Sequence, residues 1–272
     1  MEMNILTPNS QDFLVSEKPY YKPVNNEVSI FTSAWEQRIP VLLKGPTGCG
    51  KTRFVSHMAH QLKRPLITVS CHEDLSAADL IGRYLLQGDE TIWSDGPMTA
   101  AVRMGAILYL DEIVEARKDT IVAIHSLTDH RRTLSLDKLA TVLTAPNGFM
   151  LVVSYNPGYQ SILKEMKPST RQRFVSMQFS YPKPDLEQQI IATESGISTE
   201  LAGQLARIAV RIRNLTDRGL EEGVSTRLLI HAARLMTSGI PPLQACDAAF
   251  AQTLSDDPDM QRTIQQLSSD FF

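Results

Sequence analysis

The sequence predicts an α/β fold: a core on a parallel sheet, followed by a small all-helical domain. Three observations carry this. Short apolar runs at Val41–Leu43, Leu66–Val69, Ile107–Leu110 and Met150–Ser154 alternate with longer stretches of helical periodicity. A glycine-rich octapeptide, GPTGCGKT at residues 45–52, follows the first run directly. After Tyr181-Pro182-Lys183-Pro184, only helical patterns remain.

Taken in order, the first 30 residues are polar, hold Pro8, Pro19 and Pro23, and show no period. They are expected to form an N-terminal arm. Residues 31–180 form the expected core. Apolar runs of four to six residues bounded by turn formers fit strands buried on both faces, as in parallel sheets, joined by right-handed crossovers. The prolines at 182 and 184 continue neither a helix nor a central strand, which marks a boundary. In the helical domain, residues 185–272, Leu201, Leu205, Ile208, Ala209, Ile212 and Leu215 share one helix face. Ser225 is placed to cap a helix carrying Leu228, Leu229, Ala232, Ala233 and Leu235, and Pro241 and Pro258 to open two more.

Composition narrows the class of protein. Hydrophobic residues make up 43% of 272, enough for a packed core. With 27 Lys and Arg against 30 Asp and Glu, the charge of −3 argues against a dedicated nucleic-acid coat. The longest apolar runs, AILYL and FMLVV, fall far short of the ~20 residues of a membrane span. No basic segment followed by an apolar stretch opens the sequence, so no secretory signal is expected. Cys49, Cys71 and Cys246 form no CxxC pair and read as free thiols of a reducing compartment. The expected location is cytoplasmic, with no membrane partner.

The octapeptide satisfies G-x-x-x-x-G-K-[ST] in full. Gly45, Gly48 and Gly50 let the backbone turn so that amides point at phosphate oxygens. Lys51 reaches the terminal phosphates, and the Thr52 hydroxyl ligates Mg²⁺. A helix starting here adds its positive end. The expected ATP-binding set is Gly45, Pro46, Thr47, Gly48, Cys49, Gly50, Lys51, Thr52 and Arg53.

A second half of the site follows from AILYLDE at 106–112. A buried strand ending in two acids places Asp111 to hold Mg²⁺ and Glu112 to orient a water for in-line attack. A glutamate beside the metal-binding residue favours hydrolysis over transfer. Asn156 ends the run MLVVSYN, where its amide meets a γ-phosphate or simply opens the turn into Pro157-Gly158. Arg171, Arg173 and Arg227 are candidate charge-neutralising groups, although a single arginine is more often a solvated residue. His57 and His60, and the cluster Cys71-His72-Glu73-Asp74, lack the dispersed ligand set of a structural zinc site. Cys49 reads as a small apolar filler. Tyr20, Tyr21 and Val28 are adenine neighbours or ordinary anchors, and His125, His130, Arg131 and Arg132 an interface or solvated patch.

The ordered strings GPTGCGKT, ILYLDE, SYNPGY, STRQRF and STRLL resemble an AAA+ ATPase of the MoxR branch. Within it, PLITVSCHEDLSAADLIGRYLL, LDEIVEARKD, LTDHRR and VVSYNPGYQSILKEMKPSTRQRF resemble the CbbQ/NirQ/NorQ group, over about residues 39–234. The resemblance implies an AAA+ core with a helical lid, assembled as a homohexameric ring with ATP between protomers. It places Lys51 and Thr52 on Walker A, Asp111 and Glu112 on Walker B, and Asn156 on sensor 1. Arg173 falls on the arginine-finger position, with Arg171 the alternative, and Arg227 on sensor 2. Residues 83–93 match a helix-2 insert hairpin and 132–144 a pre-sensor-1 hairpin, both facing the ring's pore. An aromatic-Val-Gly pore loop is not evident, so local remodelling is expected rather than threading.

The implied function is ATP-driven remodelling of inhibited Rubisco with a von Willebrand factor A (VWA) domain adaptor of the CbbO type. Nitric-oxide-reductase maturation is the alternative within the group. A nucleic-acid-stimulated motor and a non-hydrolysing nucleotide-binding scaffold are further alternatives outside it.

Overall fold

A computed structural model describes residues 5–157 and 166–272. The chain divides into two compact units. One holds the residues up to Gly45 together with Lys51–Gln178; the other holds Pro46–Gly50 with Phe179–Phe272.

The strands are β1 (Ile5–Leu6), β2 (Val41–Lys44), β3 (Leu66–Ser70), β4 (Gly82–Gln87), β5 (Glu90–Asp95), β6 (Ile107–Asp111), β7 (Thr133–Leu136), β8 (Thr141–Thr144), β9 (Met150–Tyr155) and β10 (Val175–Gln178). Five form the central sheet in the order β10-β2-β9-β6-β3, every pair parallel. The predicted α/β class with a parallel sheet is what the first unit contains. Apolar residues fill β2, β6 and β9 because these inner strands are covered on both faces. Leu42, Leu108, Leu110, Leu151 and Val153 belong to one continuous core. Each of the four expected runs extends one residue further, into Lys44, Ser70, Asp111 and Tyr155. The register pairs Lys44 with Tyr155 and Ser70 with Asp111, so polar side chains gather at the carboxyl ends of the strands.

The fifth strand, β10, lies at the sheet edge. Only Met177 of its four residues is buried, so the apolar stretch expected to open at Phe174 is interrupted by Ser176 and Gln178.

The amino-terminal segment departs from an aperiodic arm through residue 30. A helix spans Glu27–Glu36, and β1 pairs in parallel with β5, Ile5 opposite Trp93. Glu27 organises the helix start by accepting from the Tyr21 hydroxyl (2.7 Å) and the amides of Val24 (2.7 Å) and Asn25 (2.8 Å). Burial works to raise its pKa, but these donors outweigh it and hold the carboxyl below its ordinary value. Order here comes from side-chain capping and a distant strand partner, neither of which leaves a period.

Two antiparallel hairpins accompany the sheet. In β4–β5, Gln87 faces Glu90 and Gly88 takes the left-handed conformation (φ 63°) that a tight turn needs. Leu86 near its tip is 78% exposed, with Tyr84 and Leu85 also exposed. The second hairpin, β7–β8, pairs Thr133 with Thr144 and Leu136 with Thr141.

In the second unit, helices Pro184–Ser195, Thr199–Arg213, Thr226–Thr237 and Pro258–Ser269 pack around Leu205, Ile208, Ala209, Ile212, Leu229, Phe250 and Ile264. The Ser225 hydroxyl caps its helix by accepting from the Leu228 amide (3.3 Å). Pro258 opens its helix as expected, whereas at 241–242 Pro242 takes the first turn and Pro241 is the cap. The preceding cap residue must be extended, which suits a residue followed by proline.

Inside this unit Glu187 is fully buried. It accepts two bonds from Arg213 (2.7 and 2.8 Å) and one from the Thr226 hydroxyl (2.5 Å). Removing the carboxylate strands a largely buried guanidinium. Glu187→Ala is expected to destabilise the second unit by about 3–5 kcal/mol, read by urea unfolding.

Candidate active site

The first unit contributes the acids and the lysine. Lys51 opens the helix Lys51–Leu62 immediately after the glycine-rich turn, with its buried Nζ 2.7 Å from the Gly45 carbonyl. Thr52 is exposed one residue later, and its hydroxyl donates to Asp111 Oδ2 at 3.3 Å. Residues 59 apart in sequence are thus joined at the strand ends. Arg53 is an exposed residue of the same helix.

Asp111 is held on its other oxygen. The Tyr109 hydroxyl lies 2.7 Å from Oδ1, and the Ser154 hydroxyl donates to the same atom. Ser154 is fully buried on β9 and also accepts from the Glu112 amide at 3.2 Å. One serine therefore orients the backbone of one acid and the carboxylate of the other. Burial, then the Asp111 charge, pushes the Tyr109 phenol up, so it stays a proton donor. Burial and the charges of Asp111 and Glu112 push the Cys71 thiol up to about 12. It stays neutral and is no nucleophile.

Tyr109 and Ser154 were not singled out in the sequence. Tyr109 stands two residues before Asp111, and so on the same face of the strand. Ser154 is the lone aliphatic hydroxyl within MLVVSY, a polar atom that follows four apolar residues directly.

Glu112 leaves the strand in the left-handed conformation (φ 55°, ψ 48°) and is exposed. A non-glycine residue pays about 1–2 kcal/mol for this geometry. The Ser154 bond to its amide helps hold it there. Asn156 follows β9 directly and is half-buried; Gly158, the other half of the expected turn, lies outside the described residues.

The candidate fingers differ in setting. Arg171 ends the short helix Pro168–Arg171, half-buried. Arg173 Nη1 lies 3.4 Å from the His125 carbonyl and 3.8 Å from Asp129, with its side chain one-third exposed (34%). Asp129 also takes a 2.6 Å bond from Arg131, whose hydrogen bonds hold the carboxyl at a pKa of about 2. Burial and the Arg173 charge lower His125. The expected basic patch around residues 125–132 thus contains an acid that carries two arginines.

In the second unit, the turn Pro46–Gly50 contains Gly48 (φ 66°) and Gly50 (φ 100°) in conformations that disfavour any side chain. A Cβ on Gly48 would stand 2.6 Å from Ser225 Cβ and 3.5 Å from Arg227 Cβ. Cys49 is buried. Arg227 is exposed in the first turn of Thr226–Thr237.

Of the remaining residues, His57 Nδ1 is 3.3 Å from the Pro19 carbonyl and its ring packs at a tilt against Tyr21, centroids 5.3 Å apart. Tyr21 packs on Phe54 as well. Among the described residues no group of three or more His, Cys, Asp or Glu side chains is arranged around a common metal position.

Residues 40–174 match the family model described as AAA domain (dynein-related subfamily), and residues 187–271 match CbbQ/NirQ/NorQ C-terminal. Protein CbbQ of Hydrogenophilus thermoluteolus is 53% identical over 96% of this chain and 97% of its own length. The chain belongs to the CbbQ/NirQ/NorQ group. Protein NorQ of Paracoccus denitrificans is 56% identical (94% and 95% covered). The denitrification regulatory protein NirQ of Stutzerimonas stutzeri is 57% identical (89% and 88%). This CbbQ/NirQ/NorQ-group protein is therefore an AAA+ ATPase of the MoxR type. Among solved structures, a Thermotoga maritima RuvB mutant shares the fold with a TM-score of 0.56 at 16% identity, covering 96% of this chain and 73% of RuvB. That likeness is one of architecture alone. No helix among the described residues is long and apolar enough to cross a membrane.

Proposed function

We propose that this CbbQ/NirQ/NorQ-group chain is the motor of a homohexameric Mg-ATPase, with Glu112 as the hydrolytic base and Arg173 as the finger acting on a neighbour's ATP. The observation that carries the reading is the Thr52–Asp111 pair, with Ser154 linking Asp111 to Glu112. A threonine hydroxyl and one carboxylate, both hard oxygen donors 3.3 Å apart, fit Mg²⁺, which keeps several waters and takes its other ligands from phosphates. Bound there, the ion would neutralise charge on the β- and γ-phosphates. Lys51 would leave the Gly45 carbonyl for the phosphates, and the amides of 48–52 would cradle them. Asn156 and Arg227 would approach the γ-phosphate as the neutral and charged sensors. Arg171 is the alternative finger.

Replacing the lysine removes a charge-assisted bond worth about 1.5–3 kcal/mol. Lys51→Ala is accordingly expected to weaken ATP binding about 10–100-fold in a calorimetric titration.

The client proposed is inhibited Rubisco, freed of tight-binding sugar phosphates with a CbbO-like VWA-domain adaptor. Similarity to CbbQ over nearly the whole chain supports this, together with the exposed Tyr84, Leu85 and Leu86 on β4 beside the hairpin's polar turn, which suit local remodelling at a ring's pore face. NorQ and NirQ are as similar, which favours nitric-oxide-reductase maturation as the second reading. ATP-driven reactivation of sugar-phosphate-inhibited Rubisco, with and without the adaptor, tests the choice. Failure there, with rescue of an immature reductase, would select the second.

A further inference from the structure

We propose that Tyr181 is a positioning residue that fixes the Thr47 backbone of the phosphate loop to the segment leading into Arg227. This rests on the reading of Arg227 as the phosphate-facing arginine of the second unit.

Thr47 lies in the turn Pro46–Gly50, and the carboxyl-terminal residues of the same unit hold both of its backbone polar groups. Its amide donates to Glu222 Oε1 at 3.0 Å, and its carbonyl accepts from the Tyr181 hydroxyl at 3.1 Å. The same hydroxyl lies 3.4 Å from the Gly223 carbonyl. Next along the turn, Gly48 fits so closely against Ser225 that no Cβ is tolerated. Two consecutive loop residues are thus registered against residues 222–225, just before Arg227.

Tyr181 is itself braced. The Arg213 guanidinium stands 4.0 Å over its ring, and Arg213 Nε donates to the Val224 carbonyl at 2.9 Å. The buried Glu187 grips Arg213 with two bonds and accepts from Thr226, the residue before Arg227. The path Thr47–Tyr181–Arg213–Glu187–Thr226 therefore returns to the arginine through side chains that are locked in place. Burial and the Glu222 charge push the phenol up, so the hydroxyl remains a donor across the working pH range. No side chain in this path touches a phosphate in the proposed mechanism. The path sets where the loop stands relative to the arginine that does.

Tyr181→Phe deletes the hydroxyl and keeps the ring under Arg213, so the packing that Glu187 anchors is retained. In the full-length protein with Mg-ATP, Tyr181→Phe is expected to lower kcat about tenfold, the worth of one well-placed hydrogen bond, with KM changed less than about threefold. The decisive measurement is a double-mutant cycle with Arg227→Ala. In that background Tyr181→Phe is expected to cost less than about twofold further, because its effect passes through the arginine. Glu222→Ala, which releases the other backbone group of Thr47, is expected to show the same dependence and gives a second route should Tyr181→Phe lower the Tm. An unchanged kcat in both variants, or an equal loss with and without Arg227, overturns the proposal. If Arg227→Ala alone turns over at the parent rate, the reading of Arg227 falls and the proposal falls with it.

Discussion

Glu112→Gln is expected to bind Mg-ATP with near-parent affinity while hydrolysing it about 10²–10⁴-fold more slowly, the range over which a positioned base acts. The amide is isosteric, so the left-handed turn at 112 and the Ser154 bond to its backbone amide survive. Only the proton acceptor is lost. Asp111 keeps its contacts to Thr52, Tyr109 and Ser154, which is why affinity is expected to hold. Single-turnover phosphate release against a nucleotide titration separates the two quantities. Parent-rate hydrolysis would remove Glu112 from the base role.

Arg173→Ala is expected to assemble normally and to lose about 10³–10⁵-fold in kcat, the worth of an arginine finger supplied in trans. Partial exposure and loose ties to the His125 carbonyl and Asp129 leave the guanidinium able to swing toward a neighbour. Arg171→Ala is the paired control and should lose far less. The trans character has its own signature. Mixing Arg173→Ala with Lys51→Ala protomers should restore turnover, because one variant supplies the finger and the other the nucleotide site. Equal losses at 171 and 173, or no recovery on mixing, would count against the assignment.

The inner sheet was readable because β2, β6 and β9 are buried on both faces, and uninterrupted apolar runs have few other uses. Edge strand β10, of which Met177 alone is buried, and β1, only two residues long, were not, since neither needs an unbroken apolar run; β3 at the other edge kept the run Leu66–Val69. The phosphate loop was readable because its glycines are demanded by backbone geometry that other residues resist. Tyr109 and Ser154 were hidden by their own strands, where tyrosine and serine pass as ordinary fillers until pairing sets them beside Asp111. The helix Glu27–Glu36 escaped because Glu27, its organising residue, reads as a surface charge. Burial with three donors is a tertiary fact. The wider network of Thr47, Tyr181 and Glu222 joins residues up to 175 apart, which no local pattern encodes.

Ser154 has a mechanical corollary. Because neighbouring strand positions face opposite ways, a slip of β9 by a single residue against β6 would swing this hydroxyl off both acids at once. Displacement of the strand leading to Asn156 would thus be felt at the Asp111 carboxylate and the Glu112 amide together.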